Sequence, residues 1–189
     1  MKTLIFLFSL VFSFIVQGEG LLLKGGNVHT ADSEGILENT DIYIKDGKII
    51  KIGKDLKVSA SRIEDLNGKI VTPGFIAPYS QLGIVEIEAV AETRDDRSTV
   101  YSSGLSIVSA FNPHSTLIPY NLRGGITTAL SVPSSSGLYS GLASSFSLSS
   151  SLEGSLISQD IALFGSVSSG EDSRAAKMLL LEDSLDVAS

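Results

Sequence analysis

A chain of 189 residues with 43% hydrophobic content is long enough for one ordinary domain, or a small domain with part of another, and too apolar to be disordered. Its net charge of −7, with 14 Lys and Arg and no basic cluster, excludes a nucleic-acid binder that works through phosphate contacts. The absence of cysteine excludes disulfides, thiolate metal sites and a cysteine nucleophile.

Lys2 precedes a nearly unbroken apolar run over residues 4–16, followed by Gln17-Gly18-Glu19-Gly20. A positive end, an apolar core and small residues at its exit describe a secretory signal peptide over residues 1–18, with Val16 and Gly18 placed for cleavage after Gly18. The run is short for a membrane-spanning helix, which needs about 20 apolar residues. An uncleaved N-terminal anchor is the other reading. No cysteine follows the run, so a lipoprotein anchor is excluded. The expected location is exported, periplasmic or secreted, with no stable membrane span after cleavage.

Leu21-Leu22-Leu23-Lys24-Gly25-Gly26-Asn27-Val28-His29-Thr30 predicts a short strand, a Gly-rich turn and a second strand. Asp46-Gly47 stands between two β-branched runs and predicts a tight hairpin, whose turn needs positive φ. Asn67-Gly68 repeats the signal between residues 63–66 and 69–72. Pro73-Gly74 punctuates, and Phe75 and Ile76 lead into a buried strand. Apolar residues Val100, Leu105, Ile107, Val108 and Phe111 predict a helix over residues 99–111, ended by Asn112-Pro113. Residues 117–122 make a short helical turn, and Gly124-Gly125 opens a β-rich run over 126–132. Strand, helix, strand is the opening of a βαβ unit and a parallel sheet. Residues 134–154 are rich in Ser and Gly and predict loop with short strands, such as 142–148. Residues 161–165 predict a short buried strand. Residues 173–188 predict an amphipathic helix with Ala176, Leu179, Leu180 and Leu185 on one side.

The stretch Val71-Thr72-Pro73-Gly74-Phe75-Ile76-Ala77-Pro78-Tyr79-Ser80-Gln81 resembles the first barrel strand of the amidohydrolase superfamily. These are metal-dependent hydrolases of cyclic and linear amides, of the imidazolonepropionase and dihydroorotase type. In that family a Pro-Gly-Phe-Ile-Asp lead-in precedes two His on alternate positions. Alternate strand positions share a face, so both imidazoles reach one metal. Here Ala77 stands where the Asp would be, and Tyr79 and Gln81 stand where the two His would be. Residues 25–30, the Asp46-Gly47 hairpin and residues 66–76 resemble the family's N-terminal β-sandwich piece. Gly124-Gly125-Ile126-Thr127-Thr128 resembles its entry into the second barrel strand. Leu82-Gly83-Ile84-Val85-Glu86-Ile87 resembles an exported subgroup that lacks the first His pair. The order of these pieces is more specific than any one of them.

The resemblance implies an α/β fold with a small all-β module: a β-sandwich piece over 19–72, then the first units of an incomplete (β/α)8 barrel over 73–189. A full barrel takes about 250 residues. The chain is therefore expected to be the N-terminal part of a longer protein, with the remaining metal ligands and the catalytic Asp on later strands. No metal or other cofactor is expected in this chain itself; zinc or another divalent metal belongs to a full-length relative.

Glu86, Glu88, Glu92, Asp95 and Asp96 follow directly after the first barrel strand. Loops at strand C-termini form the active-site face of such barrels. A carboxylate cluster there can hold a hard cation or supply a general base. Arg94 and Arg97 can instead neutralise it, and a solvated acidic loop is the bland alternative. The only histidines, His29 and His114, lie in different modules and read as structural, although His114 can line a mouth. The ligand-facing candidates are Tyr79, Gln81, Glu86, Glu88 and His114. Tyr79 and Gln81 are expected to face into the barrel and to hydrogen-bond a ligand or each other. No catalytic residue is assigned. There is no Gly-x-Ser-x-Gly motif. Ser134-Ser135-Ser136-Gly137 and residues 166–170 read as flexible loops, since neither has the Lys of a phosphate cradle.

Two functional readings follow. One is an amidohydrolase-like hydrolase of carbon–nitrogen bonds other than peptide bonds, working through metal-activated water and inactive as the chain stands. The other is a non-catalytic exported barrel that binds a small-molecule ligand or a partner.

Overall fold

In the computed structural model, Asp46 and Gly47 take φ of 51° and 71°. They reverse the chain between β2 (Ile36–Lys45) and β3 (Lys48–Gly53), as the hairpin signal predicts. The structure describes residues 20–134, 137–149, 154–168 and 172–188. The signal peptide expected over 1–18 lies outside them. The architecture is α/β, with two sheets and few helices. The chain divides into two units, one ending at Pro73 and the other beginning at Gly74.

The first unit is a five-stranded sheet organised around β1 (Leu21–His29). The Gly25-Gly26 pair does not make the expected turn. β1 runs through it as one strand with irregular register on either side of Gly26. Gly25 has φ 67°, and its N–H donates to the buried Asp41 carboxylate at 2.9 Å. The other Asp41 oxygen accepts from the N–H of Leu56 at 3.0 Å, so the buried charge is hydrogen-bonded on both oxygens. On one edge β1 pairs antiparallel with β2. On the other it pairs parallel with β4 (Arg62–Asp65) and β5 (Ile70–Val71). Asn67-Gly68 therefore turns the chain without making a hairpin. The N–H groups of Leu66 and Gly68 reach the carbonyls of Lys24 and Gly25, so the flanks of the turn both bind β1 rather than each other. Leu22, Val28, Ile42 and Leu66 form the buried core.

The second unit is a four-stranded sheet in the order β6 (Phe75–Ser80), β7 (Ile126–Ser131), β8 (Gly141–Ser147), β9 (Leu156–Phe164). β6 and β7 are parallel, joined through the short helix α1 (Leu117–Arg123), as the strand–helix–strand reading requires. β8 and β9 then return antiparallel, so the sheet is mixed. Phe75 and Ile76 are exposed rather than buried. The strand expected over 161–165 is the end of the longer β9, with Ile161 and Leu163 exposed.

The helix expected over 99–111 does not form. That segment is irregular apart from a 3-10 turn at Val108–Ala110. The N–H of Leu142 bonds the carbonyl of Leu105, and Ser106 bridges to Leu142, so the backbone is spent on β8 instead of on helical bonds. Its apolar residues still enter the core. Ile107 packs with Ile84, Val85 and Phe146, and Phe111 stacks on Phe146 with ring centroids 3.8 Å apart. Ile118, Ala129 and Leu148 form a second cluster, with Ala77 and Leu82 against it. α2 (Arg174–Ala188) forms where periodicity placed it. Its Leu179, Leu180 and Leu185 are exposed, however, and the buried residue is Lys177.

Candidate functional site

Parallel pairing of β6 and β7 brings their C-terminal ends side by side, and the polar residues that follow each strand meet there. The N–H of Val132 donates to the Ser80 carbonyl at 2.9 Å. The Ser131 hydroxyl donates to the Leu82 carbonyl at 2.7 Å. After β6 the chain folds back on itself. The N–H of Glu86 reaches the Thr93 carbonyl, and the N–H of Asp95 reaches the Ile84 carbonyl. Thr93 clasps the tip of this loop through its hydroxyl, which meets the Ile87 and Val90 carbonyls. The return leg delivers Arg94 and Asp96 beside Gln81.

These residues close a network with Ser134. The Gln81 amide nitrogen donates to Asp96 Oδ2 and to Ser134 Oγ, both at 2.7 Å. Arg94 grips the carboxylate with two nitrogens, Nη2 at 2.8 Å and Nε at 3.2 Å. Its Nη2 also reaches Ser134 Oγ at 3.1 Å, and its Nη1 the Glu88 carbonyl at 3.1 Å. The Ser134 hydroxyl donates to Asp96 Oδ2. Asp96 is 0% exposed. Burial pushes its carboxyl up, but the hydrogen bonds from Arg94 and Ser134, with the charge of Arg94, outweigh burial and hold it below the usual carboxylate range. The bond to Asp96 in turn raises the Arg94 guanidinium. A carboxylate held this firmly ionised is poorly matched to general-base work, which favours a pKa near the operating pH.

The sequence candidates are partly gathered. Gln81, Glu86 and Glu88 line one small cavity of about 250 Å³ with Leu82, Val85 and Leu117. Both oxygens of Glu86 are engaged, by the Asn112 amide at 3.1 Å and the Ser115 hydroxyl at 2.9 Å. Tyr79 lines a different cavity, and its exposed ring lies 5.8 Å from that of Phe164. Tyr79 and Gln81 do not bond each other. His114 is exposed, and its backbone N–H closes a turn on Asn112. His29 belongs to the first unit, at the end of β1. Asp96 departs from the reading of a solvated acidic loop, since it is buried and paired. Glu88, Glu92 and Asp95 are exposed. Ser134, read from sequence as flexible loop, is the member that composition hid. Its signal was position, just past Pro133 at the end of a strand parallel to β6.

The family metal would call on positions 79 and 81. Gln81 turns its amide donors toward Asp96 and Ser134, and Tyr79 stands against Phe164. Among the described residues, no group of three His, Asp or Glu side chains converges. The residues present on this strand do not fit a metal.

No protein-family model matches the chain. It is 40% identical over 72 residues to a 5-methylthioadenosine/S-adenosylhomocysteine deaminase of Thermococcus sibiricus, covering 38% of this chain and 17% of that protein. It is 29% identical over 116 residues to a dihydroorotase of Pelotomaculum thermopropionicum, covering 61% and 22%. It is 35% identical over 101 residues to a D-hydantoinase of Geobacillus stearothermophilus, covering 53% and 19%. The chain thus spans about a fifth of the length of these curated relatives. In structure it is similar to an amidohydrolase from Thermotoga maritima MSB8, with a TM-score of 0.65, 25% identity, and coverage of 76% of this chain and 38% of that one. Relatives named dihydroorotase, hydantoinase and deaminase, on the fold of an amidohydrolase, place this chain in the amidohydrolase superfamily.

Proposed function

We propose that this chain is a scaffold segment of an exported amidohydrolase-like protein, a hydrolase of carbon–nitrogen bonds other than peptide bonds. In this reading the first unit is the N-terminal piece of a composite β-sandwich, and β6 and β7 are the first strands of a barrel. The segment by itself does not turn over amides. The observation that carries the proposal is the engagement of Gln81: at a position where the family resemblance places a metal ligand, its amide nitrogen is committed to Asp96 and Ser134. The same observation favours the second reading, a non-catalytic barrel that binds a cyclic amide without cleaving it.

The test is a purified-protein assay with hydantoin and dihydroorotate, with and without added zinc, alongside elemental analysis. No turnover and no stoichiometric zinc is the expected outcome. Zinc-dependent hydrolysis abolished by a chelator would overturn the proposal. Saturation-transfer NMR with the same rings separates the two readings, since only the binding barrel gives transfer to an intact ring.

A further inference from the structure

A cavity of about 580 Å³ lies in the second unit against α2, lined by Leu138, Phe164, Val167, Leu181, Leu185 and Ala188 among others. This volume falls within the range of small-molecule sites, about 300–1,000 Å³, and its wall is mostly apolar, as such sites are. The α2 residues that line it lie on one face of the helix, because positions four and seven apart stack along a 3.6-residue repeat.

Lys177 belongs to that face, one turn before Leu181. It is 5% exposed, and its ammonium nitrogen has no hydrogen-bond partner among the described residues. A buried ammonium without an acceptor is costly, and an unsatisfied buried charge requires an explanation. An apolar cavity alone would admit any oily molecule. An apolar cavity whose flanking helix face carries an unpaired buried cation selects for an anion with a hydrocarbon body.

We propose that this cavity binds an apolar carboxylate of the fatty-acid class, its chain among the leucines and Phe164 and its carboxylate paired with Lys177. This stands independently of the carbon–nitrogen hydrolase reading, since it uses none of the residues at the ends of β6 and β7. No bond is made or broken.

The test is calorimetric titration of the 189-residue protein with octanoate and with 1-octanol, which share a chain and differ in charge. A charge-assisted hydrogen bond makes octanoate the tighter ligand by about tenfold or more. Lys177→Met should remove that advantage and leave octanol binding unchanged. Ala188→Trp, which adds bulk at the wall, should weaken both ligands, with far-UV circular dichroism unaltered. Equal affinity of the wild-type protein for octanoate and octanol overturns the proposal whatever the variants do. So does the absence of binding by either.

Discussion

Arg94 and Asp96, two residues apart in the chain, form an ion pair at 2.8 Å in which the carboxylate is wholly buried and the guanidinium nearly so. Their alternation on the returning leg of a loop directs both toward Gln81 and Ser134. The pair is therefore a clamp that joins the end of β6 to the end of β7. Replacing Asp96 with Asn leaves Arg94 without its counter-charge and should cost about 3 kcal/mol of stability. The urea midpoint of the second unit's transition measures this. Pairing Asp96→Asn with Arg94→Met should recover part of the loss, because the coupling between them then vanishes. Strictly additive losses would show that the pair does not act as one unit.

The pH response follows from the same residue. The folded-state pKa of Asp96 lies below its ordinary value of 3.8. A carboxyl depressed by folding contributes stability in full above the unfolded value, and loses it as pH falls from there through the folded value. Wild-type protein should lose stability below about pH 4, more steeply than Asp96→Asn does. Asp32 in the first unit is also lowered, chiefly by the Thr30 hydroxyl, and is common to both proteins. Urea titrations at a series of pH values from 6 to 2.5 settle it; parallel curves for the two proteins would remove Asp96 from the account.

Two glycines with positive φ should respond unequally to a methyl group. Gly83 has φ 78°, and a Cβ there would sit 2.4 Å from the ring of Phe111. That ring lies flat on Phe146, so it has little room to move. Backbone strain and overpacking add, and Gly83→Ala should cost about 3 kcal/mol. Gly47, at the β2–β3 turn, meets nothing within 4 Å. Gly47→Ala carries the strain alone, about 1 kcal/mol. Thermal unfolding of the two variants gives the comparison, and equal shifts would contradict the packing argument.

Export is read from residues 4–16 and the small residues after them. Mature protein from a secreting host should begin at Glu19 or within two residues of it. Intact-mass analysis decides this, and a protein that retains Met1 defeats it.

Local signals in the sequence carried as far as local forces do. Asp46-Gly47 was legible because a tight turn needs positive φ within two residues. The β6–β7 pairing was legible because Pro73-Gly74 and Gly124-Gly125 bracket two β-rich runs around a short helix. Asn67-Gly68 announced its turn but not its partners, since the preference of β4 and β5 for β1 lies in distant backbone groups. Residues 99–111 misled for a related reason. Their apolar spacing fits a helix, yet Leu105 and Ser106 bind β8, and Val100 remains 83% exposed. At the site, Gln81, Arg94 and Asp96 were visible as neighbours in sequence. Ser134 was not, because only the parallel register of β6 and β7 brings it to them. Lys177 sat unremarked in a leucine-rich helix, where a single cation ordinarily faces water.

The position of β1 also sets a timetable for synthesis. Leu21 is paired with Ile44 on one side and with Arg62 on the other, so the first strand to leave the ribosome is the last to find all its neighbours. The β2–β3 hairpin can close as soon as it emerges. β1 remains half-satisfied until Val71 is out. A nascent chain paused between these points presents an open strand edge, which is the form most prone to pair with a second copy. Folding of this unit is thereby gated by distant partners rather than by local turns, and such non-local closure is slow.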